Sequence, residues 1–324
     1  MIEKATYLAY AGGWRAVRLM PEALAYRLFD QIADQQWRSR SGAVRRLEAN
    51  LVRVLGPGPV EPDRLREVSR AGMRSYLRYW CDAFRLPGWD AARIDSFRLA
   101  NSEVIVEALE QGRGAVVALP HMGNWDHAGA FFSRNHVQVT TVAERLEPAA
   151  LFDAFVAYRE SLGMRILGLG DPGLYPELVH TLQTGGFVPL LADRDLSASG
   201  IEVQFLGAAT RFPAGPAALA VDTGAKLLPV SLFWDGGNAG EVLPEVVPPA
   251  HGERSERIRV ATQAVADALG AAIRAHPQDW HMLQRLWLAD LDPDRLAARD
   301  AAEIDAGPSD LGPQDAAVPD PGGL

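Results

Sequence analysis

Two residues carry the clearest chemical signal in this 324-residue chain, a histidine and an aspartate in the run Gly114-Ala-Val-Val-Ala-Leu-Pro-His121-Met-Gly-Asn-Trp-Asp126. An imidazole held by a carboxylate at one ring nitrogen keeps the other free to act as a general base. The spacing says where the two must sit. Five residues along a straight helix turn the chain by about 500°, which sends the two side chains to different sides. His121 and Asp126 can therefore meet only if the histidine lies outside the helix, on the turn that feeds it. The local sequence agrees. Residues 115–119 are a continuous apolar run suited to a strand buried on both faces, and Pro120 ends it. Gly123-Asn124 then supplies a turn and a helix N-cap, followed by a helical pattern through Trp125, Ala128, Phe131 and Phe132. A buried turn can hold a histidine for purely structural reasons, but a strand edge opening onto a helix start favours chemistry.

The elements around this turn read as an α/β protein. From residue 102 onward, helical and strand patterns alternate: helix 102–111, strand 115–119, strand 137–143, helix 148–162, strand 164–169, helix 173–184 and strand 187–192. Strand 201–206, helix 214–223, strands 227–234 and 241–247 and helix 256–275 complete the series. Such alternation implies a central, mostly parallel sheet with helices on both faces, and ligands bind at the carboxyl ends of its strands. Those ends are polar here. Glu144 and Arg145 follow one strand; Asp193, Arg194 and Asp195 follow another. Arg159 sits on the helix before strand 164–169, and Arg211 precedes a Pro- and Gly-containing helix start suited to an anion.

Before this core, residues 1–100 read as helices. Tyr7, Tyr10, Trp14 and Val17 repeat at helical spacing beside Arg15 and Arg18, and Pro21 begins a second segment through Leu24, Leu28 and Ile32. Aromatic and basic side chains interleaved in this way fit a helix resting on lipid headgroups, or else an amphipathic helix packed on the core. Residues 1–80 hold 14 Lys and Arg against 8 Asp and Glu, whereas 290–324 hold 2 against 9, within a chain of net charge −9. A basic leading portion on an acidic protein calls for an anionic partner. Residues 292–324, rich in Ala, Asp, Pro and Gly, are expected to be disordered. The division is thus 1–100 membrane-associating helices, 101–291 α/β core and 292–324 acidic tail.

Other classes are disfavoured. Cys81 is the only cysteine, so the chain can form neither an internal disulfide nor a thiolate metal cluster. A cleaved signal peptide is not expected, and no apolar stretch approaches the roughly 20 residues that cross a bilayer. Nucleic-acid modules, G-x-S-x-G, Walker and G-x-G-x-x-G patterns are absent. A base without a protein nucleophile suggests direct activation of a substrate hydroxyl. Two rivals stand beside that reading: a metal-dependent hydrolase using His121, Asp126 and His127, and a non-catalytic lipid-binding module.

His121-Met-Gly-Asn-Trp-Asp126 resembles the H-x-x-x-x-D motif of glycerolipid and lipid A acyltransferases. The runs Thr141-Val-Ala-Glu-Arg-Leu146, Tyr158-Arg-Glu-Ser-Leu-Gly163, Ala192-Asp-Arg-Asp-Leu196, Phe212-Pro-Ala-Gly-Pro216 and Ala275-His-Pro-Gln-Asp-Trp-His-Met-Leu-Gln284 resemble one branch, the phosphatidylinositol mannoside acyltransferases. The likeness spans roughly residues 5–291. It implies transfer of a long acyl chain, palmitoyl, from acyl-CoA as co-substrate to a mannose hydroxyl of an anionic mannosylated phosphoinositide. Another glycolipid O-acyltransferase is the near alternative. The resemblance implies His121 as base with Asp126 as its partner, and Glu144, Arg159 and Asp193 lining a polar-head pocket, where the family commonly carries Glu in place of Asp193. It further implies no cofactor or metal, no nucleic acid, and a peripheral place on the cytoplasmic face of the plasma membrane. Backbone N–H groups near Gly123, or the helix starting at Asn124, are the expected oxyanion donors.

Overall fold

The computed structural model describes residues 12–56, 58–145, 149–195, 197 and 199–292. Its centre is β2 (Ala115–Leu119), whose five residues are all buried, as the uninterrupted apolar run requires. β2 pairs in parallel with β5 (Phe187–Leu191) on one side and β8 (Lys226–Trp234) on the other. Outward from β8 come β9 (Asn238–Val242), antiparallel to it, and the short edge strand β1 (Arg98–Ala100), parallel to β9. A parallel pair, β3 (Thr140–Ala143) and β4 (Arg165–Gly168), lies beyond β5. Val139 bridges to Phe187, and Thr141 Oγ1 donates to the Pro189 carbonyl at 2.7 Å.

Alternate residues of the strands feed two cores. Val116, Ala118, Val188 and Leu190 pack beneath α9 (Leu174–Gln183), α10 (Gly215–Thr223) and α11 (Arg254–Ala275). Ala115, Val117, Leu119 and Phe187 face α6 (Glu103–Glu110) and α7 (Trp125–Asn135). The mostly parallel α/β architecture and its helix-covered faces are as the alternating pattern indicates. Two details differ. The strand expected at 241–247 ends at Val242, and residues 208–212 form a strand, β7 (Ala208–Phe212), where none was expected. β7 returns antiparallel to β6 (Ile201–Phe205) through Leu206 and Gly207, both at positive φ. That turn geometry matches the right-handed twist of a hairpin.

The leading helices are α1 (described over 12–19), α2 (Glu22–Ser39), α3 (Gly42–Leu55) and α4 (Pro62–Arg85). Ser41 caps α3 through Val44 N–H, and Pro62 opens α4 where its missing N–H costs no helical bond. They form a third core around Leu47, Leu51, Met73, Tyr76 and Trp80. They also grip the chain's late segment: Asn50 Nδ2 donates to the Met282 and Gln284 carbonyls, each at 2.8 Å, and Arg46 Nε to the Leu283 carbonyl at 2.8 Å. Among the described residues, no helix is long and apolar enough to cross a membrane. Tyr7, Tyr10 and residues 293–324 lie outside the described residues.

Candidate active site

Register places the first two groups. Leu119 on β2 stands opposite Leu191 on β5, and two residues further on the parallel strands deliver His121 and Asp193 side by side. His121 Nδ1 lies 2.6 Å from Asp193 Oδ1, and the His121 backbone N–H donates to Asp193 Oδ2 at 3.0 Å. Trp280 Nε1 donates to the same Oδ2 at 2.8 Å. The carboxylate can only accept, so the imidazole proton sits on Nδ1 and a bare lone pair on Nε2. That Nε2 is buried and has no hydrogen-bond partner among the described residues. Burial alone would raise the Asp193 carboxyl, but the attraction of the His121 imidazole and these donors together hold it below the ordinary carboxylate range.

The partner of His121 is therefore Asp193 and not Asp126. Asp126 is buried at the first turn of α7, where Tyr79 Oη donates to its Oδ2 at 2.9 Å and Arg159 Nε to its Oδ1 at 2.8 Å. The physical reason is the turn itself. Gly123, at φ 62°, carries the chain so close to β8 that an added Cβ would lie 2.5 Å from the Leu232 carbonyl carbon, and Asn124 caps α7 by accepting from His127 N–H at 2.9 Å. Asp126 leaves the opposite side of this turn, toward α4 and α8 (Ala149–Glu160). Burial opposes charge on Arg159, but the Asp126 carboxylate more than offsets it, and the same carboxylate adds to burial in raising the Tyr79 phenol.

The other expected groups scatter. Glu144 follows β3 and is half-buried. Arg145 reaches Asp171 and lies over the Phe152 ring at the surface. Arg194 Nε donates to the Arg285 carbonyl at 3.4 Å. Asp195 accepts from Ser197 N–H, and Arg211, on β7 ahead of the α10 start, donates to the Ser197 carbonyl. Asp195 and Arg211 thus brace the turn after β5. His127 is also spent elsewhere, donating from Nε2 to the Ile94 carbonyl at 2.9 Å and meeting Asn238 Nδ2 at 3.1 Å. His121, Asp126 and His127 are each committed to different partners, so the geometry does not gather them around one point. The Gly123 N–H is also taken, by the Asp279 carbonyl at 3.0 Å, which leaves the N-terminal end of α7 as the expected oxyanion stabiliser.

Several site residues escaped sequence reasoning. The segment 279–281 runs antiparallel beside the His121 turn: His281 N–H donates to the His121 carbonyl at 2.7 Å, and Met122 bridges to Trp280. It brings in Trp280, on Asp193, and His281, whose imidazole burial pushes down to about 3. Tyr79 and Ser75 come from α4. The one available signal was the run Asp279-Trp-His-Met-Leu-Gln284, which had no role attached to it. Next to the turn, an apolar cavity of about 710 Å³, open mouth included, extends between β2, β5 and α7. Leu119, Phe132, Met164 and Phe187 line it, with Trp125, Asp126 and Arg159 at its polar boundary.

Residues 1–289 match the family described as bacterial lipid A biosynthesis acyltransferase, and the chain belongs to that family. It is 45% identical over 297 residues to a phosphatidylinositol mannoside acyltransferase of Mycolicibacterium smegmatis, covering 90% of this chain and 94% of that protein. Two Mycobacterium tuberculosis proteins of the same name are each 44% identical over 300 residues, covering 90% of this chain and 92% of theirs.

Proposed function

We propose that this acyltransferase moves a long acyl chain, palmitoyl, from acyl-CoA to a mannose hydroxyl of a phosphatidylinositol mannoside, with His121 as general base and Asp193 as its orienting carboxylate. The observation that carries the reading is the buried imidazole with its Nδ1 proton on Asp193 and its Nε2 bare. A sugar hydroxyl is a weak nucleophile at neutral pH. His121 Nε2 takes its proton as the oxygen attacks the thioester carbonyl; collapse of the tetrahedral adduct forms the ester, breaks the C–S bond and returns the proton to the departing thiolate. Base assistance of this kind contributes about 10²–10⁴ in rate, and the Asp193 charge stabilises the transient imidazolium. The apolar cavity is the seat for the acyl chain. The names of the relatives support the acceptor class.

The protein meets its lipid acceptor from the cytoplasmic side of the plasma membrane through α1 and α2. Leu19, Leu24 and Leu28 are 74%, 54% and 37% exposed, with Arg15 and Arg27 exposed beside them. Such a mixture suits an anionic leaflet, where each basic residue contributes about 1 kcal/mol. Arg18 is already engaged, donating to the Pro87 carbonyl at 2.9 Å.

The test is transfer of radiolabelled palmitoyl from palmitoyl-CoA to purified phosphatidylinositol mannoside. His121→Ala is expected to abolish it with the fold intact. A variant retaining a tenth of wild-type activity would sink the proposal, and stoichiometric zinc or manganese with chelator-sensitive activity would favour a metal hydrolase instead.

A further inference from the structure

Asp126 faces an arginine and Asp193 a histidine; the nearby Asp82 has neither. Asp82 lies on α4 and is 1% exposed. Its carboxylate accepts from three neutral donors: Tyr26 Oη on Oδ1 at 2.5 Å, and Asn124 Nδ2 and Asn238 Nδ2 on Oδ2 at 3.1 and 3.0 Å. Among the described residues no cation pairs with it directly, and Arg93 Nη2 stands behind Tyr26, donating to its Oη at 3.0 Å. Burial raises the Asp82 carboxyl, and the three donors oppose the rise. A buried carboxylate without a cation is costly to keep, so its place in the fold calls for a reason.

The reason lies with Asn124, the N-cap of α7. Asn124 is buried; its Oδ1 accepts from His127 N–H at 2.9 Å, and its carbonyl accepts from Ala128 N–H at 3.2 Å. A carboxamide that gives Oδ1 to the cap has only Nδ2 left, and Nδ2 can only donate. Asp82 Oδ2 is the acceptor that receives it. The Asn124 side chain is therefore fixed from both ends, by the helix it caps and by α4. Asn238, the other donor on Oδ2, also meets His127 Nδ1 at 3.1 Å, which ties the same turn to β9. Just ahead of the cap, the N–H groups of Asn124, Trp125 and Asp126 have no acceptor among the described residues, as a helix start leaves them. Their directions follow the first turn of α7, and that turn follows Asn124.

We propose that Asp82 is a positioning residue for the reaction: by holding the Asn124 carboxamide it orients the first turn of α7, and with it the N–H groups that meet the oxyanion. This rests on the acyl-transfer reading above. Asp82 acts through Asn124 and takes no part in the proton transfer.

The experiment separates the Asp82–Asn124 bond from the cap itself. Serine caps a helix as well as asparagine does, so Asn124→Ser keeps α7 capped and removes only the donor to Asp82. Wild-type protein, Asn124→Ser, Asp82→Ala, the double variant and Asp82→Asn are compared in palmitoyl transfer from palmitoyl-CoA to purified phosphatidylinositol mannoside. Asn124→Ser and Asp82→Ala should each lower kcat about 10- to 100-fold, the cost of donors misplaced by about 1 Å. The KM for palmitoyl-CoA should stay in place, since the lost interaction belongs to the transition state. The double variant should be no slower than the slower single one, because both substitutions break the same bond. Asp82→Asn should retain most of the rate: its amide oxygen takes the Oδ2 place with two donors, and the Tyr26 hydroxyl turns to accept from the NH₂. An Asn124→Ser protein with wild-type kcat would overturn the proposal, as would losses that multiply in the double variant or an Asp82→Asn protein as slow as Asp82→Ala. If Asp82→Ala does not fold, Asn124→Ser and Asp82→Asn decide by the same criteria. A wild-type protein that transfers no palmitoyl overturns the acyl-transfer reading itself, whereas transfer that is indifferent to these variants overturns this inference alone.

Discussion

Asp193→Asn is the substitution that best separates the His121–Asp193 arrangement from its alternatives, because it changes charge and hydrogen-bond polarity with almost no change in shape. The Asp193 carboxylate receives three donors: His121 Nδ1–H on Oδ1, and the His121 backbone N–H and Trp280 Nε1–H on Oδ2. Asparagine has one oxygen and one NH₂. Two donors outweigh one, so the amide oxygen takes the Oδ2 place and the NH₂ faces His121. Nδ1 must then accept, the proton moves to Nε2, and the base is lost. Reversing the amide would set NH₂ against two N–H groups in a fully buried position, at about 1–3 kcal/mol for each unsatisfied donor. The expected fall in kcat is about 10²–10⁴, since tautomer control and imidazolium stabilisation go together. Asp193→Ala is a poorer probe, because it strands three buried donors and penalises the fold. Palmitoyl transfer from palmitoyl-CoA gives the rate, and ¹⁵N chemical shifts of the His121 ring give the tautomer. An Asn variant within threefold of wild-type rate, or one whose ring keeps its proton on Nδ1, would refute the reasoning.

Three further outcomes are expected. Arg159→Met leaves Asp126 buried with Tyr79 as its sole named donor and should cost about 3–5 kcal/mol in denaturant unfolding, whereas Asp126→Leu combined with Arg159→Met should recover most of that loss; a single variant as stable as wild type would contradict the ion pair. His127 and His281 have imidazoles pushed down by burial to about 4 and about 3, below the ordinary value near 6.5. Between those limits the unfolded chain binds protons that the folded chain does not, so stability present at pH 7 should decline as pH falls below about 6.5, by about 1 kcal/mol per pH unit for each group. Melting temperatures from pH 7.5 to 4.5 check this, with His127→Gln expected to flatten the slope. Leu24→Asp with Leu28→Asp should reduce co-sedimentation with anionic liposomes, and Arg15→Glu with Arg27→Glu should do so in a salt-dependent manner; equal binding to neutral vesicles at high salt would contradict electrostatic docking.

The fold was largely legible because its signals are local. The run 115–119 had to be a doubly covered strand, Gly123-Asn124 had to be a turn and cap, and alternating apolar patterns had to make a helix-covered sheet. β7 escaped because Ala208-Ala-Thr resembles a loop, and its strand character comes from pairing with β6. The histidine was legible too, and Asp193 was legible as a strand-end site residue, while the pairing of the two was not. The spacing of His121 and Asp126 invited a pair, yet Asp193, 72 positions away, is brought in by the parallel register of β2 and β5. Register between distant strands is a tertiary property that a single sequence does not print. The same holds for Trp280 and His281, which reach the site because α3 and α4 grip the segment that carries them.

The division of labour between the two aspartates then explains the motif in physical terms. Asp193 acts on the proton: it is the acceptor that sets which ring nitrogen of His121 is bare. Asp126 acts on the frame. Through Tyr79 it holds α4, through Arg159 it holds α8, and from its own position it fixes the first turn of α7. Three helices are thereby tied at a point five residues from His121, beside the cavity proposed for the acyl chain. A buried ion pair is a weak source of stability but a strong constraint on geometry, because breaking it exposes an unpaired charge to an apolar surrounding. General-base catalysis needs that constraint, since the lone pair must stay within hydrogen-bond reach of a hydroxyl that arrives from outside. The aspartate of the H-x-x-x-x-D motif here thus braces the turn, and the carboxylate that holds the His121 imidazole, the base of the proposed mechanism, comes from the neighbouring strand.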